Sequence, residues 1–149
     1  MSSNTIYVEA QMLIRKPVEE VFEAFINPEI TTNFWFTKSS GKLEEGNTIT
    51  WEWEMYGAKT EVIVSQIIPN QMIKTSWGKP SKNVDYEFKQ MEKGTLVVIK
   101  SYGYEQTGED LLKMINDNTG GFTTVLDGCK AYLEHGINLG LIEDKFPQK

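Results

Sequence analysis

Residues Glu109–His135 read EDLLKMINDNTGGFTTVLDGCKAYLEH. Leu111, Ile115, Phe122, Val125, Leu126, Cys129 and Leu133 fall on one stripe at helical spacing, which predicts a long amphipathic helix over about 109–135. Gly120-Gly121 interrupts the stripe midway. Two adjacent glycines cost a helix roughly 1–2 kcal/mol against alanine, so the pair predicts a kink or a close backbone approach. A helix this long needs an apolar face to lie on, and the residues before it provide one.

From Lys42 to about Tyr104 the hydrophobic period is two. Strands are expected at 48–56, 59–68, 72–77, 83–90 and 95–102, with a shorter one near 38–44. Tyr56-Gly57, Pro69-Asn70, Gly78-Lys79-Pro80 and Glu92-Lys93-Gly94 separate them as short turns, so consecutive strands pair antiparallel. Ile67-Ile68 breaks the alternation of its strand as a bulge would. Further toward the N-terminus, 6–15 reads as a first strand. In PVEEVFEAFINP the residues Val18, Val21, Phe22 and Phe25 share a helical face, and Pro17 sits at the first turn. Asn27-Pro28 ends that helix, and PEITTNFW adds a second short helical turn. The order predicts an α+β sandwich: a curved antiparallel sheet of about six or seven strands, a long helix across it, and two short helices after the first strand.

The side chains expected between sheet and helix are unusually large. The stretch TWEWEMYG (50–57) puts Trp51, Trp53 and Met55 on one parity. Val62, Val64, Trp77, Tyr86 and Phe88 join them from other strands. Phe36, within Phe34-Trp35-Phe36, stands before them, and Phe122, Leu126 and Cys129 face them from the helix. Each large aromatic buries roughly 150–250 Å², more bulk than a thin two-layer core asks for, so these residues are the expected walls of an apolar ligand cavity. The alternative is that the same rings simply interdigitate as core. Tyr86 or a Trp ring N–H would orient the ligand.

Other chemistry is poorly represented. The 149 residues carry a net charge of −6 and 40% hydrophobic residues, which suits a globular domain and not a phosphate-tracking nucleic-acid binder. No basic patch, apolar span or N-terminal export signal suggests a membrane. The expected setting is the cytoplasm, and 1–149 is read as one domain with a tail at 137–149. A lone His135 and a lone Cys129 make neither a metal cluster nor a nucleophile–base pair. His135 reads as a cation at the end of the helix. Glu52, Glu54, Glu61, Asp85 and Glu87 fall on the solvent parity, so paired carboxylates for acid/base work are not expected. The tail INLGLIEDKFPQK carries Ile137, Leu139, Leu141, Ile142 and Phe146, which pack on their own domain or on a protein partner.

RKPVEEVFEAFINPEITTNFWF, WEWEMYG and GGFTTVLDGCKAYLEHG together resemble the START-like superfamily of helix-grip domains. Within it they resemble the branch named after the C-terminal domain of the activator of the heat shock protein 90 ATPase. The likeness runs from about Ile6 to His135. It implies a β-α-α-β-β-β-β-β-β-α domain gripping its last helix around an apolar cavity. It also implies a range of activities, from lipid and hormone carriage to polyketide cyclisation, alongside chaperone or protein-interaction roles. The leading expectation is a small binding protein for an aromatic or lipid-like molecule, with no cofactor. A cyclase-like enzyme and a protein-interaction module are the alternatives.

Overall fold

The first strand, β1 (Tyr7–Ile14), buries alternate residues Val8, Ala10 and Ile14, the period-two signature of a half-covered strand. It is followed by α1 (Val18–Ile26) and α2 (Pro28–Thr31). Pro17 precedes α1 in extended conformation, and α1 buries Val21, Phe22, Ala24 and Phe25. The Asn27 side chain accepts from the Glu29 N–H and so caps α2, whose first residue is Pro28. Strands β2 (Lys38–Ser39), β3 (Thr48–Trp53), β4 (Ala58–Ile68), β5 (Met72–Trp77), β6 (Lys82–Met91) and β7 (Gly94–Tyr102) precede α3 (Gly108–His135) and a last short helix, α4 (Leu141–Lys145). This computed structural model describes residues 6–79 and 81–147. Met1–Thr5, Pro80 of the expected Gly78-Lys79-Pro80 turn, and Gln148-Lys149 of the tail lie outside the described residues.

The seven strands form one antiparallel sheet in the order β1-β7-β6-β5-β4-β3-β2. Meander connections account for the neighbours β2 to β7, and β1 closes on β7 with Tyr7 opposite Tyr102 and Ile14 opposite Thr95. The sheet curves around α3, giving the expected helix-grip α+β fold. The fixed points of α3 are polar as well as apolar: Lys130 Nζ donates to the Leu13 carbonyl at 2.8 Å and Glu134 accepts from the Arg15 N–H at 2.7 Å.

Four local readings need correction. The alternation of β3 stops at Trp53, where Glu54–Tyr56 form a 3-10 turn and Gly57 adopts φ 61°, a left-handed conformation suited to glycine. The turn ends the strand parity, so Met55 is 38% exposed. The bulge in β4 lies at Ser65, between Val64 and Gln66, and not at Ile67-Ile68. Its extra residue shifts parity and sets Ile67 opposite the fully buried Ile73. Asp85, expected in solvent, is buried on the outer face. Lys74 Nζ at 3.3 Å and the Tyr102 hydroxyl at 3.1 Å satisfy its carboxylate. Finally, α3 runs unbroken through Gly120-Gly121.

The close approach expected of that glycine pair occurs one helical segment later. A Cβ at Gly128 would meet Phe34 Cβ at 3.2 Å and the Phe34 carbonyl oxygen at 3.3 Å. At Gly120 a Cβ would meet only the flexible end of Lys145, and at Gly121 it would meet nothing within 4 Å.

Candidate functional site

Between α3 and the sheet, two kinds of packing lie side by side. On the α1 side the space is filled. Phe25 makes ring contacts with Phe34, Tyr86 and Phe88 at centroid separations of 5.6, 5.9 and 5.7 Å, and Phe22 packs on Phe88 at 5.2 Å. Toward β3, β4 and β5 a second aromatic cluster surrounds a cavity of about 270 Å³.

The cavity's back wall is built of stacked rings. Phe36 stacks on Trp51 at 4.4 Å, and Trp35 touches Trp51 at 4.9 Å and Trp77 at 6.1 Å. Trp35, Trp53 and Trp77 present their surfaces to the space, and Phe122 and Val125 of α3 face them. Phe122 stands edge-on to Trp77 at 6.3 Å. Room remains where side chains are small or absent, at Gly121 and Ala58. The tail borders the open side, where Ile142 and Phe146 also line the cavity. Tyr56 holds the tail there: its hydroxyl lies 3.2 Å from the Ile142 carbonyl oxygen and 2.9 Å from that of Phe146. The tail therefore packs on its own domain.

Of the residues expected at the site, Trp53, Trp77 and Phe122 line the cavity. Phe36, Trp51, Val62, Val64, Tyr86, Phe88, Leu126 and Cys129 are buried in the core around it and do not reach its surface. Met55 lines a separate, smaller hollow with Leu139 and Gly128. Trp35, Tyr56, Ala58, Asn118, Gly121, Val125, Ile142 and Phe146 complete the wall. The sequence signal for Tyr56 was the Gly57 that follows it, because a turn there exchanges Met55 for Tyr56 on the inner side.

Ionisable groups near the cavity are few. The Tyr86 hydroxyl is buried beside the Trp77 indole N–H and the Thr75 side chain, but among the described residues neither that hydroxyl nor that indole N–H has a partner in hydrogen-bond alignment. Burial pushes Tyr86 well above the usual tyrosine pKa, with Trp77 and Thr75 opposing and Asp85 reinforcing the shift, so it stays protonated at neutral pH. Burial likewise raises the Cys129 thiol, and Glu134 adds to the effect, which leaves no thiolate to act as nucleophile. Tyr56 is raised by desolvation and by the nearby Glu143.

A half-buried cation borders this region, and the alternation that identifies it is plain in the sequence. Val84, Tyr86 and Phe88 are buried on the inner face of β6. Lys82 shares their parity and pairs with Trp77 of β5. Its Nζ lies 4.3 Å from the centroid of the Trp77 ring, a cation–π placement. Burial lowers its pKa below the usual lysine value.

The chain resembles several solved structures. A protein from Staphylococcus saprophyticus, SSP2350, is 32% identical, with a TM-score of 0.81 over 90% of this chain and 96% of that one. The Aha1 dimer from Colwellia psychrerythraea is 17% identical, with a TM-score of 0.74 over 88% and 98%. DynU16, a protein of the dynemicin biosynthetic locus, is 16% identical, with a TM-score of 0.76 over 89% of this chain and 48% of its own length. These last two likenesses speak for the fold alone. No curated protein matches the chain in sequence. The model of the Activator of Hsp90 ATPase homolog 1-like proteins matches residues 15–134, most of the helix-grip fold described above, and the chain belongs to that family.

Proposed function

We propose that this protein binds an apolar, aromatic or lipid-like small molecule in the space between α3 and strands β3 to β5. The observation that carries the reading is a cavity of about 270 Å³ walled by Trp35, Trp53, Trp77, Tyr56, Phe122 and Phe146. Rings in this number, with room left between them, offer stacking and edge contacts that a closed core would have used up. The lining carries one titratable side chain, Tyr56, and its raised pKa keeps it protonated near neutrality. That supports binding over proton-transfer catalysis, which needs a group titrating near the working pH. The single cysteine, unpaired and buried, fits the reducing cytoplasm.

The test is tryptophan fluorescence. Three of the four tryptophans line the cavity and the fourth, Trp51, touches two of them, so an apolar aromatic probe should quench saturably at about one molecule per chain. Trp53→Ala should weaken that binding, while Ile63→Ala on the outer face should leave it unchanged. Non-saturable quenching, or equal loss in both variants, would refute the reading.

A further inference from the structure

Lys82 differs from every comparable lysine in the molecule. Among the described residues the other half-buried lysines are Lys16, Lys74, Lys100 and Lys130. Each faces a carboxylate, from 4.0 Å for Lys16 to 2.7 Å for Lys130. Among the described residues Lys82 has no carboxylate partner; its Nζ faces the Trp77 ring instead, and burial is the cause of its lowered pKa. A cation withdrawn from water without a counter-ion is a cost that folding alone gives no reason to keep. Its position is on the concave face, at the end of β6, over a ring that forms the cavity wall. Among the described residues no acidic side chain lines the cavity. The acid that influences it electrostatically, Glu143, acts on Tyr56 from the tail, across β5 and β4 from Lys82.

We propose that the Lys82 ammonium is the recognition group for an anionic end of the cavity's ligand, so that the ligand class is an organic acid: an aromatic or aliphatic body among the rings and a carboxylate or similar anion at the β5–β6 rim. The four-carbon stem lets the ammonium move from the Trp77 face to the rim without backbone change. The bound anion supplies the counter-charge that the chain withholds. This inference rests on the cavity taking a ligand, and its test separates the two claims.

Two probes share one ring system: anilinonaphthalene sulfonate is anionic, and N-phenyl-1-naphthylamine is its neutral counterpart. Both are titrated into the protein at low and moderate salt. Wild type should bind the anionic probe more tightly, with an affinity that falls as salt rises. Lys82→Met keeps the apolar stem over Trp77 and should weaken the anionic probe about tenfold or more, leaving the neutral probe within about twofold. Lys82→Arg should retain the preference, and Lys79→Met, on the exposed neighbouring turn, should change neither probe. Equal affinity for the two probes in wild type, or a Lys82→Met variant that loses both alike, overturns the role of Lys82 while leaving the cavity reading intact. Failure of both probes to bind wild type saturably overturns both claims. If Lys82→Met does not fold, the wild-type probe preference and its salt dependence decide alone.

Discussion

The two halves of the α3–sheet interface use the same kinds of residue to opposite ends. On the α1 side, Phe22, Phe25, Phe34, Tyr86 and Phe88 are buried and interlock in mostly edge-on contacts. On the β3–β5 side, four tryptophans, Phe36 and Phe122 also pack ring on ring yet surround a cavity. Ring content does not distinguish them. The difference lies in what the helix and the chain ends supply. At Gly128 an added Cβ would sit 3.2 Å from Phe34 Cβ, so the helix lies close against Phe34 there, while Gly121 leaves a gap opposite the tryptophans that Ile142 and Phe146 of the tail border without filling.

If one half is core and the other a container, truncation should cost them differently. Phe25→Ala, at 3% exposure with three ring partners, should lose about 3–5 kcal/mol of folding stability. Trp53→Ala, half-buried beside empty space, should lose less than about 2 kcal/mol and show its main effect in probe binding. Denaturant titration of both variants checks the pair, and equal losses would break the comparison.

The two glycines give a cleaner version, because the substitution and the helix are the same. Gly121→Ala should gain up to about 1 kcal/mol of helix propensity, since its Cβ meets nothing within 4 Å. Gly128→Ala gains the same propensity but presses on a Phe34 backbone fixed by its N–H bond to Thr31. Overpacking of this kind costs about 1–3 kcal/mol, so the Gly128 variant should be the less stable by about that amount. Melting temperatures of the two single variants read the difference directly.

Periodicity made the scaffold legible: the 3.6-residue stripes placed α1 and α3, and the two-residue alternation placed β3 to β7 nearly to their ends. It failed where one extra residue changes parity. The turn at Glu54–Tyr56 removed Met55 from the inner face and the bulge at Ser65 moved Ile67 onto it; the broken alternation at Ile67-Ile68 and the glycine at 57 mark that parity changes but not at which residue. The candidate site was less legible for a further reason. Parity separates inside from outside, but it does not separate a ring that touches empty space from one that touches other rings. Tyr86 and Trp53 have the same pattern in the sequence, and only packing shows that Tyr86 is sealed behind Trp77. Lys82 was readable by parity with Val84 and Tyr86, and its charge concealed it.

The tail should be the more easily opened of the elements that meet α3. Tyr56→Phe keeps the ring in the wall and removes the hydroxyl that reaches the Ile142 and Phe146 carbonyls. The expected loss is about 0.5–1.5 kcal/mol, confined to the tail. Amide exchange of Asp144 and Phe146 should speed up while that of β6 and β7 stays unchanged. Uniform acceleration across the sheet would mean that the tail belongs to the sealed core.

The smallest effect distinguishes how the two sides are fastened. On the sealed side Glu134 is clamped to β1: desolvation raises its pKa, but the Arg15 N–H, the Lys130 ammonium and the His135 charge outweigh this and hold it below the ordinary glutamate value. A depressed carboxyl pKa contributes stability above the unfolded value of about 4.3, and that contribution is lost as pH falls from there through the folded value. On the open side Tyr56 is raised by desolvation and by Glu143. A raised phenol pKa contributes stability below the unfolded value of about 10, lost as pH rises through the folded value. Acid should therefore loosen the helix end at β1, and alkali should loosen the tail over the cavity. Melting curves across pH should show Glu134→Gln flattening the acid decline alone and Tyr56→Phe flattening the alkaline decline alone. Either variant flattening both limbs would mean that the two fastenings are one coupled network and that the division between sealed and open halves does not extend to their anchors.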